Sequence, residues 1–129
     1  MIILDTHAWI WWVGEPARLG KGASRSLDAA KRIGVPAICC LEVAALAARG
    51  RITLDRPPLA WMQDALAMPR VELMPLTPAV AAKAAGLPAS FPGDPADRLI
   101  VATALIEAAT VVTRDERIRK AAVVETVWT

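Results

Sequence analysis

The sequence predicts an α/β protein built on a parallel sheet with helices on both faces. Short apolar runs of strand length alternate with helical segments along the chain, the order expected of βαβ units. Several of these runs are continuously apolar rather than alternating, as strands buried on both faces are. Their ends supply a third observation. Acidic residues follow the runs closely, beginning with Asp5 after Met1-Ile2-Ile3-Leu4. In open parallel sheets, ligand sites lie just beyond the carboxyl ends of the strands.

The first strand is Met1–Leu4, with Thr6 as a candidate cap for the segment after it. His7–Val13 is apolar and Trp-rich and reads as one or two helical turns, closed by Gly14-Glu15-Pro16. Gly20–Gly22 marks a loop. Ser24–Ile33 has helical spacing, with Leu27, Ala30 and Ile33 on one side and Gly34 as its stop. Val35–Cys39 reads as the second strand, Leu41–Arg49 as an Ala-rich helix ending at Gly50, and Arg51–Leu54 as extended chain or a turn. A helix starts at Pro57 or Pro58, since Pro suits a first turn, and runs to about Met68. Val71–Leu76 is the third strand, and Pro75 places it at an edge or a strand end. Pro78–Gly86 is a helix of small residues, followed by a Pro-rich loop over Leu87–Pro95. Ala96–Ala109 is apolar nearly all round, the mark of a buried helix. Thr110–Thr113 is a strand, Asp115–Ala121 a short helix and Val123–Val127 the last strand.

At 129 residues the chain reads as one domain, residues 1–129. That length can bury a core without disulfides or a structural metal. The formal charge of +2 neither announces nor excludes a nucleic-acid partner. Most of the cations are Arg, the better residue for bidentate phosphate contacts. Cys39 and Cys40 are the only cysteines and His7 the only histidine, so no zinc-type spacing exists. The N-terminus lacks the basic region of a signal peptide. No apolar run reaches the roughly 20 residues of a membrane helix. A cytoplasmic protein with no membrane contact is expected.

Acidic residues recur at the predicted strand ends. Asp5 ends the first strand, and Glu42 sits in the first turn of the helix after the second. Asp97 opens the buried helix, and Asp115 follows the fourth strand. Each alone has a plain structural reading as a helix-dipole partner, a cap or a turn residue. Together they form a cluster of like charges that resists ionising. A divalent cation would neutralise it, and oxygen ligands without Cys favour Mg²⁺ or Mn²⁺ over zinc. Mg²⁺ on a few carboxylates is the usual arrangement for phosphoryl chemistry. No Gly-rich phosphate loop and no Ser-His-Asp set offers an alternative.

The segments Ile3-Leu4-Asp5-Thr6-His7, Glu42-Val43, Asp94-Pro95-Ala96-Asp97-Arg98-Leu99-Ile100-Val101-Ala102-Thr103-Ala104 and Val112-Thr113-Arg114-Asp115 closely resemble PIN-domain ribonucleases, most of all the VapC-type toxins of type II toxin–antitoxin pairs. The resemblance covers essentially the whole chain. It implies a PIN-like three-layer α/β/α sandwich with a central parallel sheet. It makes Asp5, Glu42, Asp97 and Asp115 a catalytic, metal-binding quartet, with Asp5 the central ligand. It also implies Mg²⁺- or Mn²⁺-dependent cleavage of RNA, often a tRNA or rRNA, together with homodimerisation and inhibition by a VapB-type antitoxin. Asp94 competes with Asp97 for the third place. Asp97 is preferred because it matches the family's acidic residue one turn into that helix, while Asp94 before Pro95 reads as the cap.

Thr6 and Thr113 lie near the predicted edge and are candidates to hydrogen-bond a ligand carboxylate or a water. Arg98 and Arg114 flank the acidic residues and would pair with them or meet RNA phosphate. Arg117 and Arg119 read as solvated helix positions, and His7 as structural. Trp9, Trp11 and Trp12 cannot all enter one core, so at least one should be exposed. Two other classes compete with the nuclease. A phosphotransfer receiver with a Mg²⁺-binding acidic pocket needs a Lys near the last strand, whereas Lys120 falls in a helix. A non-catalytic PIN-like binding module would keep the acidic edge without turnover.

Overall fold

The five predicted strands all form, and the computed structural model, which describes residues 1–129, joins them in one parallel sheet. They are β1 (Ile2–Leu4), β2 (Ile33–Pro36), β3 (Val71–Met74), β4 (Thr110–Val112) and β5 (Thr126–Val127). Their order is β3-β2-β1-β4-β5. Central β1 pairs Ile2 with Ile33 on one side and with Thr110 on the other. The strand order therefore reverses between β1 and β4, where open α/β sheets place their ligand crevice.

Seven α-helices accompany the sheet: α1 (Thr6–Gly14), α2 (Lys21–Ala29), α3 (Ala37–Ala48), α4 (Pro58–Leu66), α5 (Pro78–Ala85), α6 (Pro95–Ile106) and α7 (Glu116–Ala121). All of Ile33–Pro36 is buried, so helices cover both faces of the sheet at β2. Helix α6 packs against β1, β2 and β4 and buries Ile100, Val101, Ala102 and Ala104. The main core gathers Ile3, Leu4, Trp9, Leu27, Ile33, Val35, Val43 and Val111. Each such aliphatic side chain contributes about 1.5–3 kcal/mol by leaving water. A smaller cluster of Leu87, Phe91, Val101 and Ile118 lies beside it.

Several sequence expectations shift. The helix expected at Ser24–Ile33 is α2, and it ends at Ala29. Ile33 and Gly34 belong to β2, so Gly34 is no helix stop. A Cβ on Gly34 would meet Ile3 Cδ1 at 2.5 Å and Met74 Cγ at 2.9 Å. The glycine makes room for neighbouring strands to pack over β2, a role easily mistaken for punctuation. Residues 37–39 are helix and not strand, because α3 begins directly after Pro36. Glu42 therefore stands in the second turn of its helix, not the first. At Thr6 the cap is the preceding residue, Asp5, and Thr6 is already helical. Gly20 precedes α2 and Gly22 lies inside it, so only part of that stretch is loop. No Trp of α1 is fully exposed: Trp9 and Trp11 are buried and Trp12 is half-buried against the core. Trp11 and Trp128 pack with ring centroids 5.8 Å apart, and Trp9 and Trp61 at 5.1 Å, so the ring faces have partners on other elements. Pro75 lies just beyond β3, an edge strand as its sequence position suggested. No helix is long and apolar enough to cross a membrane.

Candidate metal centre

An open cavity of about 510 Å³ lies beyond the carboxyl ends of β1 and β4. Asp5, Thr6, Glu42, Asp94, Asp97 and Asp115 all line it, with His7, Trp11, Arg114 and Arg117 among the remaining wall. The four carboxylates singled out in the sequence, from positions 5, 42, 97 and 115, are thus brought together.

Local structure explains how each arrives. Asp5 follows β1 and caps α1, its Oδ1 accepting from the Ala8 amide at 2.9 Å. Asp115 caps α7 in the same way, Oδ1 accepting from the Arg117 amide at 2.8 Å. The Asp115 amide in turn donates to Thr113 Oγ1 at 3.0 Å, which fixes the turn after β4. Asp94 caps α6, accepting from the Ala96 amide at 2.8 Å. Asp97 lies in the first turn of α6, and its side chain is 16% exposed. Helix α6 follows α5 rather than a strand, so Asp97 comes from a longer crossover than a simple strand–helix junction. Glu42 reaches in from α3, and Thr6 donates its hydroxyl to Glu42 Oε1.

The electrostatics match a crowded acidic site. Burial pushes the Asp5 carboxyl above its ordinary value, against hydrogen bonds from Thr113 and the Ala8 amide. Asp97 is raised to about 7, first by burial and then by the charges of Asp94 and Asp115. Asp115 is lowered, chiefly by its hydrogen bond from Arg117. Arg117 Nη2 lies 2.9 Å from Asp115 Oδ2 and 3.4 Å from Asp97 Oδ2, bridging the two. No group of three or more Asp, Glu, His or Cys side chains forms a ready-made cage for a metal. The donor set nevertheless suits Mg²⁺ or Mn²⁺, being all oxygen and short of positive charge. Mg²⁺ keeps several waters and needs only one or two carboxylates directly, which an open cavity provides.

Other predicted residues go elsewhere. Arg98 touches none of the carboxylates. Its guanidinium donates to the carbonyls of Ala84 at 3.1 Å and Leu87 at 3.0 Å, and it holds the loop before α6. Buried Thr113 supports Asp5 and Asp115 from below the cavity. His7 is exposed on the cavity wall, its ring 5.5 Å from Trp11. Arg114 lies over the Trp11 ring at 5.7 Å and pairs with no carboxylate. Lys120 pairs with Glu116 on exposed α7, away from the cavity, so the receiver's basic residue is missing there. Arg117 is the residue that sequence reasoning missed. A signal existed: a cation in the first turn of a helix opposes the helix dipole, which points to an anionic partner elsewhere.

The PIN domain family model matches residues 2–124. The chain is 46% identical to Ribonuclease VapC22 of Mycobacterium tuberculosis (strain ATCC 25618 / H37Rv) over 118 residues, 92% of this chain and 89% of that protein. VapBC2 from Rickettsia felis, solved bound to a DNA fragment from its promoter, superposes with a TM-score of 0.72 at 16% identity, covering 100% of both chains. A toxin–antitoxin complex from Klebsiella pneumoniae gives 0.71 at 19% identity, covering 98% of this chain and 96% of that one. FitAcB from Neisseria gonorrhoeae gives 0.62 at 25% identity, with 98% and 96% covered.

Proposed function

Because the chain belongs to the PIN-domain family, we propose that it is a divalent-cation-dependent endoribonuclease, the VapC-type toxin of a toxin–antitoxin pair. The observation that carries this reading is the convergence of Asp5, Glu42, Asp97 and Asp115 on one cavity at the sheet's reversal point. The 46% identity to a VapC ribonuclease supports the same activity. Residues 1–129 act as one nuclease domain.

Mg²⁺, or Mn²⁺ in its place, would be held by Asp5, Asp97, Glu42 and Asp115. Such a cation, when bound, lowers the pKa of water toward neutrality and offsets charge on phosphoryl oxygens. The chain's own residues prepare the site. Thr6 orients Glu42 through its hydroxyl. Thr113 steadies Asp5 and the turn that presents Asp115. Asp94 caps α6 and adds negative charge beside Asp97. A carboxylate must be ionised to hold a cation, so the burial that raises Asp97 works against loading as pH falls.

The substrate is RNA, a tRNA or rRNA in the cytoplasm, and no membrane is involved. A VapB-type antitoxin is the natural inhibitor, since neighbouring folds were solved as toxin–antitoxin complexes. Such toxins act as homodimers, the assembly proposed for this chain. Asp5→Asn should abolish Mg²⁺-dependent RNA cleavage and growth inhibition while circular dichroism stays unchanged. Full cleavage by that variant would sink the assignment. A non-catalytic module would instead bind RNA without turnover, with the wild-type chain as with the variant.

A further inference from the structure

We propose that Arg117 is a phosphate-binding residue of this site, resting on Asp97 and Asp115 until cation and RNA draw it off. This rests on the nuclease reading above. Its guanidinium is the one cation in contact with the acidic set: Nη2 meets Asp115 Oδ2 at 2.9 Å and Asp97 Oδ2 at 3.4 Å, and Nε meets Asp115 Oδ1 at 3.3 Å. Arg114, the other arginine of the cavity wall, is engaged with the Trp11 ring instead.

Three physical points lead from that contact to a role. First, the oxygens Arg117 holds belong to the residues that would take a divalent cation. A guanidinium this close to both carboxylates repels a dication drawn to the same oxygens, so the two compete. Second, the contact is easily exchanged. The Arg117 side chain is 64% exposed, and ion pairs open to solvent are weak. Third, an RNA phosphate entering a cavity lined by Asp5, Glu42, Asp94, Asp97 and Asp115 meets strong like charge. A planar guanidinium already at that wall can pair with phosphate through two parallel hydrogen bonds. The pair with the carboxylates is then replaced by a pair with substrate, and Arg117 keeps a partner throughout.

The test compares wild type, Arg117→Ala and Arg117→Lys. Mn²⁺ affinity is measured without RNA by electron paramagnetic resonance, and kcat and KM for a model RNA at saturating Mg²⁺. Arg117→Ala should bind Mn²⁺ roughly two- to fivefold more tightly, the equivalent of a lost surface ion pair. Its KM should rise about tenfold or more, the scale of a lost charge-assisted hydrogen bond, with a smaller change in kcat. Arg117→Lys keeps the charge but not the fork, and should recover KM only in part. Thermal melting should be unchanged in both. Unchanged or weaker Mn²⁺ binding by Arg117→Ala, or an unchanged KM, overturns the proposal while wild-type cleavage leaves the nuclease reading standing. A wild-type chain that neither binds Mn²⁺ nor cleaves RNA overturns both.

Discussion

Asp5, Asp94 and Asp115 each give one carboxylate oxygen to a helix cap and line the cavity as well. Capping and function were weighed as rivals in the sequence, yet one oxygen can serve each. Asp97 differs, because its side chain caps nothing and its only partner is Arg117. Burial, followed by the charges of Asp94 and Asp115, shifts its titration upward. Its carboxyl is raised from 3.8 to about 7. Between those values the folded chain binds the extra proton, so stability falls as pH rises through that window and levels off above it. Urea unfolding at pH 5 and pH 8, without added cation, should show this loss, and Asp97→Asn should flatten it. An unchanged slope in that variant would remove Asp97 as the cause. The placing of Asp5 and Asp115 at the cavity was legible because each follows an apolar strand, whereas Glu42 and Asp97 stand inside helices. Arg117 was harder to read: its contact with Asp115 is local, but its contact with Asp97 is set by tertiary geometry.

Element boundaries were less readable than element order. Gly34 and the apolar run around Cys39 misled because a buried strand and a buried helix look alike without polar punctuation. The one-turn error at Glu42 followed directly. Gly20 carries a stricter demand: a Cβ there would lie 2.2 Å from the Trp128 carbonyl oxygen. That same oxygen accepts from the Ala23 amide at 2.8 Å, tying α2 to the chain beyond β5. Gly20→Ala should therefore cost about 1–3 kcal/mol of stability, as overpacking does, measured by urea unfolding. Arg98 likewise acts on an element rather than on chemistry. Arg98→Ala should speed amide exchange in the loop 87–94 and lower stability by about 1.5–3 kcal/mol, the worth of a hydrogen bond to a charged group. Normal exchange there would show that the loop holds itself.

Across the molecule, the parallel sheet was readable from alternation alone, whereas the strand order was not, because no local signal says that β1 takes β4 as its second neighbour. The core closes over apolar side chains and involves no cavity carboxylate. Chelation of divalent cations should therefore stop cleavage and leave the circular dichroism spectrum intact. Loss of helical signal on chelation would give the cation a structural role as well.

The central place of β1 also sets a timetable. Leu4 is made long before its partner in β4, Val112. A chain still being synthesised carries Asp5 and Glu42 long before Asp97 and Asp115 exist to join them. Until β4 docks, the acidic residues are scattered along an unfinished polypeptide and share no cavity. A nuclease assembled in this order is switched on by its own completion.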